Sequence, residues 1–171
     1  MAKDYKKILK DKRMEAGYLM TEDQMTSCHE IIHTASVASG LAGAIPIPVA
    51  DAVPISVAQI TMVVGLGQVF DQKIEEAAAK SLIAAAASTF IGRNLVKVVP
   101  IAGWIVSAGI AAGVTEAIGW TIATDMAKTF RKEWEKQKNK KEAADAYVEA
   151  EYYKKENSYS DNEDAEDFSE E

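Results

Sequence analysis

The sharpest chemical string in this 171-residue chain is His29-Glu-Ile-Ile-His33. On a helix this spacing sets two imidazoles one turn apart on one face, able to share a zinc ion, with Glu30 as general base for a bound water. Such a site needs a third ligand. The candidate for it, Asp51, is better read as a helix cap. We therefore read His29 and His33 as two partly buried, hydrogen-bonded histidines, with no metal or other cofactor. A zinc-dependent hydrolase built on His29, Glu30 and His33 stands as the alternative.

Few other residues bear on chemistry. Glu116 is the single charge in an otherwise apolar run. Its expected role is a buried bridge to Arg93 or Lys97, with a cavity or a partner as the other possibility. Asp51 caps a helix, or alternatively meets a partner's cation. Cys28 has only His29 beside it to activate it, so it is expected to be an inert core thiol. Trp104, Trp120 and Trp134 are either interfacial anchors or, for the first two, core residues. No catalytic residue is expected.

Helices must hold these groups. Pro46 and Pro48 cannot sit inside a helix, because each ring removes a backbone donor and pushes the preceding residue toward extended geometry. Asp51 then opens a helix in which Pro54 falls in the first turn. Residues 41–70 are thus a helix end, a stiff apolar elbow and a nearly uncharged second helix. Upstream, residues 3–15 form a basic amphipathic helix that Gly17 ends, docking Tyr5, Ile8 and Leu9 on the body or, alternatively, on an anionic membrane. Thr21-Glu-Asp-Gln24 is a capping box opening a helix to about residue 39, with Met25, Cys28, Ile32 and Ala35 facing inward. Asp71-Gln-Lys73 breaks the second apolar helix, and an alanine-rich helix follows over 73–92. After Pro100 comes another apolar helix with Gly109 and Gly113 at GxxxG spacing, a pattern that permits close helix packing. It continues through the apolar stripe Met126, Phe130 and Trp134 into strong helix formers, as far as about residue 155.

Strand-like alternation is missing from the chain, so the expected fold is all-α. We expect a compact helical bundle with two central apolar helices and a long charged C-terminal helix. The expected division is a basic helix at 1–20, a core at 21–135, a projecting charged helix at 136–157 and a disordered acidic tail at 158–171. The net charge of −7, concentrated in that tail, argues against nucleic acid as a partner. A lone cysteine and an N-terminus without an apolar run behind its lysines fit the cytosol or the cytosolic face of a membrane. Insertion energetics are balanced for the apolar helices. Nine large aliphatic or Phe residues over 52–70 give about −4 kcal/mol, against Pro and Gln, while Glu116 near a bilayer centre costs about 2.5–3.5 kcal/mol. A soluble or peripheral bundle, central helices buried all round, is preferred to an integral membrane hairpin.

The run from His33 to Gly119 resembles the YcjF-like domain of unknown function, a bacterial helical family found beside or fused to small GTPases. The matching pieces are His33 before a small-residue run, Ile45-Pro-Ile-Pro-Val-Ala-Asp51, Gln59, Met62, Gly92-Arg93, Pro100-Ile-Ala-Gly103 and Thr115-Glu-Ala-Ile-Gly119. The resemblance implies an all-helical module, without established catalytic residues, that works with a GTPase at or in the inner membrane. That GTPase must be a separate chain. No GxxxxGK[ST] loop occurs here, since Gly65-Leu-Gly67 lacks the Lys and Ser/Thr, and Asn139-Lys-Lys-Glu142 is not a guanine-specificity motif. The expected function is accordingly a non-enzymatic helical adaptor acting with a GTPase in trans, with a membrane surface, or with both. Pro46, Pro48, Asp51, Gly109, Gly113 and Glu116 would form its structural or partner-facing motif.

Overall fold

Apolar residues recurring every three to four positions, with Gly and Pro confined to a few points, leave the backbone little choice but helix. A computed structural model describes residues 2–42, 52–90 and 108–166, which form five α-helices and no strand. They are α1 (Ala2–Leu19), α2 (Glu22–Ala42), α3 (Ala52–Val69), α4 (Glu76–Phe90) and α5 (Ala108–Glu166). The expected all-α bundle is what the chain builds. The elbow residues Pro46, Pro48 and Asp51, with Arg93, Lys97 and Trp104, lie outside the described residues.

Met1–Phe130 make one compact unit and Arg131–Glu171 a second. In the first, α1 runs through Gly17 instead of ending there, because a Cβ at that position would meet nothing within 4 Å and Met20 N–H still donates to the Ala16 carbonyl. Ile8, Leu9 and buried Ala16 pack α1 onto the core. The junction to α2 is the expected capping box: Thr21 N–H donates to Gln24 Oε1 at 3.1 Å, and Gln24 N–H donates to Thr21 Oγ1 at 3.3 Å. Cys28, Ile32 and Ala35 then face inward, with Met25 packed at their edge.

The end of α3 is a Schellman motif. Gln72 N–H reaches the Gly67 carbonyl at 2.8 Å, Asp71 N–H reaches Gln68 at 3.3 Å, and Asp71 holds the left-handed φ of 54°. The break foreseen at 71–73 therefore extends to Glu75, and α4 begins at Glu76. Ile74, expected within that helix, packs from the loop against the core.

The most enclosed element is the stretch of α5 from Ala117 to Thr124, buried on every side around Trp120. Its threonines satisfy themselves within the helix: Thr121 Oγ1 donates to the Ala117 carbonyl at 2.8 Å and Thr124 Oγ1 to Trp120 at 2.6 Å. α3 departs from the expectation of all-round burial. Met62, Val63 and Leu66 are in the core, but Ser56, Val57, Thr61 and Gln68 are exposed, because α3 has neighbours on only part of its circumference. Among the described residues, no helix is long and apolar enough to cross a membrane.

The stripe expected along α5 stops at Phe130, whose ring lies 6.1 Å from that of Phe70. Trp134 falls in the second unit and is 55% exposed, under the Lys138 ammonium at 5.7 Å. From Arg131 to Lys155 every residue is exposed, and the helix is supported by i,i+4 pairs such as Arg131–Glu135 and Lys138–Glu142. It reaches Glu166, into the acidic run expected to be unstructured, since no Gly or Pro interrupts it.

Candidate functional site

Three helices of the first unit meet around Trp120. Arg13 of α1 lies over its indole at 5.4 Å from the ring centroid, and His29 of α2 stands 6.4 Å away, tilted by 54°. One turn on, His33 stacks on His29 with ring centroids 5.9 Å apart and planes 12° from parallel. The helix phase explains this placement. Cys28 and Ile32 take the inward positions, so His29 and His33, each one residue later, are turned aside together.

Both histidines and Glu30 are exposed, which corrects the expectation that the imidazoles are partly buried. A hydrolytic zinc centre needs a third protein donor. Among the described residues, no group of three or more His, Cys, Asp or Glu side chains is placed to hold a metal ion. Asp51 lies outside the described residues. Cys28, directly before His29, is fully buried, and desolvation pushes its thiol up to about 12, so it is an inert core residue as expected.

The residues expected to face a partner divide. Glu116 is half-buried, one residue after Thr115, whose Oγ1 accepts a hydrogen bond from Gln59 Nε2 at 3.1 Å. Its expected bridges to Arg93 or Lys97 fall outside the described residues. Gly109 is exposed with open space around it, and Gly113 is half-buried. A close approach is made further along α5 by Gly119, where a Cβ would stand 2.8 Å from Ile32 Cγ1 and 2.9 Å from Met62 Sδ.

A second feature lies where α2 ends and α3 and α5 begin. Ser36 Oγ donates to the Ala112 carbonyl at 2.9 Å, and Thr115, one helical turn further along α5, accepts from Gln59 of α3. Close in sequence to these bonding residues, Val37, Leu41, Val57 and Ile110 are exposed, Leu41 by 68%. The sequence carried the signal for these residues in the predominant apolarity of 41–70, which puts more large apolar side chains on α3 than its buried face takes up.

Comparison of the chain with protein-family models, with curated proteins and with solved structures returned no match.

Proposed function

We propose that the chain is a non-enzymatic helical adaptor, and that it meets its partner at the end of the bundle marked by Val37, Leu41, Val57 and Ile110. The observation that carries this reading is the exposure of those four large apolar side chains, Val37 and Leu41 one turn apart on α2 and Val57 and Ile110 each within two residues of a side chain or carbonyl that bonds between helices. Clustered apolar exposure marks an interaction surface, whereas scattered single residues do not. The resemblance to YcjF-like domains supplies the kind of partner, a separate small GTPase, and the cytosolic face of a membrane as the place. The charged helix from Arg131 onward, exposed along its described length, is a second surface such an adaptor can offer.

The test is site-specific photo-crosslinking in cells, with the reactive residue at position 41 and, as control, at position 18. A GTPase captured at 41 and not at 18 supports the reading. Identical products at both positions, or none, overturn it. With the reactive residue kept at position 41, Val57→Asp combined with Ile110→Asp should abolish that cross-link while leaving the circular dichroism spectrum unchanged.

A further inference from the structure

We propose that His29 and His33 form a two-imidazole site for a divalent transition metal ion on the exposed face of α2, independent of the adaptor reading. Residues four apart on a helix have Cβ atoms roughly 5–6 Å apart, and these two imidazoles already share one side of α2, stacked at 5.9 Å. A zinc–imidazole bond is about 2.0–2.1 Å, which puts the centroids of two imidazoles on one tetrahedral ion about 5 Å apart. The rings must therefore close by about 1 Å and also turn out of their stack, planes 12° from parallel, so that one nitrogen of each points at a common ion, a change of side-chain rotamer that exposed imidazoles on one helix face can make.

The site is backed by rigid structure. Cys28 and Ile32, each directly before one of the histidines, are locked in the core, and His29 rests beside fully buried Trp120, so the backbone that carries both rings is held on one side of α2 before an ion arrives. Both rings are exposed, so water completes the coordination. Donors that are imidazole nitrogens alone favour copper, nickel and zinc over magnesium or calcium, with copper binding more tightly than zinc. The absence of a third protein donor among the described residues makes this a binding site, without the assembled hydrolytic centre that an HExxH string otherwise suggests.

The experiment is a titration of the full-length, untagged protein with zinc chloride and with copper sulfate, followed by calorimetry. One ion per chain is expected, with copper tighter than zinc and with no saturable binding of magnesium. His29→Gln and His33→Gln, both at exposed positions and so expected to fold, should each weaken binding at least tenfold. Glu30→Gln should leave it within about twofold. Zinc should also raise the melting temperature of the parent protein and not of the double histidine variant, because the ion holds one helical turn together only in the folded state. Binding retained by the double variant, equal binding of magnesium, loss of binding in Glu30→Gln, or no saturable binding at all would each overturn the proposal.

Discussion

Ile74 occupies the space that a side chain at residue 67 would need: its Cγ1 lies 2.5 Å, and the Gln72 carbonyl oxygen 2.7 Å, from where a Cβ on Gly67 would stand. A flexible side chain can move aside, but a backbone carbonyl inside a Schellman motif cannot without undoing the turn. Gly67→Ala should therefore destabilise the fold by about 2–3 kcal/mol, despite the better helix propensity of alanine. Asp71 pulls the other way. It holds φ of 54°, a conformation that costs a non-glycine residue about 1 kcal/mol, so Asp71→Gly should stabilise by up to that amount. Urea denaturation of the two variants checks both signs, and a stabilised Gly67→Ala would refute the turn.

Glu15 of α1 and Lys128 of α5 form an ion pair between the two ends of the first unit's sequence, and Lys12 donates to the same carboxylate at 2.9 Å. These hydrogen bonds, Lys128 first and Lys12 second, hold the Glu15 carboxyl below its usual value of 4.5, and the pair raises Lys128 in turn. A depressed carboxylate contributes stability above its unfolded pKa and loses it as pH falls through the folded one. The group is 36% exposed, so screening limits the contribution to about 0.5 kcal/mol. Glu15→Gln should show that deficit at pH 7, the two proteins converging as the pH drops below 4.5 and the deficit shrinking in 1 M salt. A deficit that grows on acidification would contradict the pairing.

Local signals in the sequence survived into the structure more faithfully than tertiary ones. The Thr21–Gln24 box was legible because both of its bonds close within one turn, and the inward set of Cys28, Ile32 and Ala35 followed from their spacing. The same phase already turned His29 and His33 away from the core, so their exposure could have been read from it. Other outcomes depended on neighbours. Alanine-rich patterning started α4 near residue 73, but Ile74 fills the gap at Gly67 and delays the helix to Glu76. Nothing in a single chain says which glycine of α5 meets another helix, and it is Gly119, not Gly109. Likewise Trp134 shares its period with Met126 and Phe130, yet the packing partners end at Phe130.

The contrast between Gly119 and Gly109 is itself testable with one substitution at two sites. At Gly119 an added methyl meets Ile32 Cγ1 at 2.8 Å and Cγ2 at 3.0 Å, inner branch atoms that cannot swing clear. Gly119→Ala should cost about 1–3 kcal/mol. At Gly109 nothing lies within 4 Å, and alanine should stabilise slightly, by less than about 1 kcal/mol, through helix propensity alone. Equal shifts in the denaturation midpoint of the two variants would rule out the contact of α5 with α2 and α3.

Trp120 and Trp134 should separate just as clearly. Trp120 has no exposed surface and sits at the junction of α1, α2 and α5, so Trp120→Ala should cost about 3–5 kcal/mol. Trp134, half in water beneath a lysine, should lose within about 0.5–1 kcal/mol on the same change. Thermal unfolding measures the difference, and a large loss at Trp134 would mean that its helix is packed against something.

Cys28 offers a probe of the core that needs no substitution. Burial alone pushes its thiol from the usual 9.0 to about 12, so the reactive thiolate is absent at neutral pH and reagent cannot reach the sulfur. Modification by a disulfide reagent at pH 8 should be at least roughly a thousandfold slower than for the chain in guanidinium, limited by opening of the fold. The proton balance gives a second reading. Between pH 9 and 12 the unfolded chain releases a thiol proton that the folded one retains, so stability falls as the pH rises through that window and is untouched by Cys28 below it. Cys28→Ala should remove that alkaline slope. Rapid labelling of the native protein at neutral pH would show instead that α2 opens locally at Cys28, and with it the backing that keeps His29 and His33 in register.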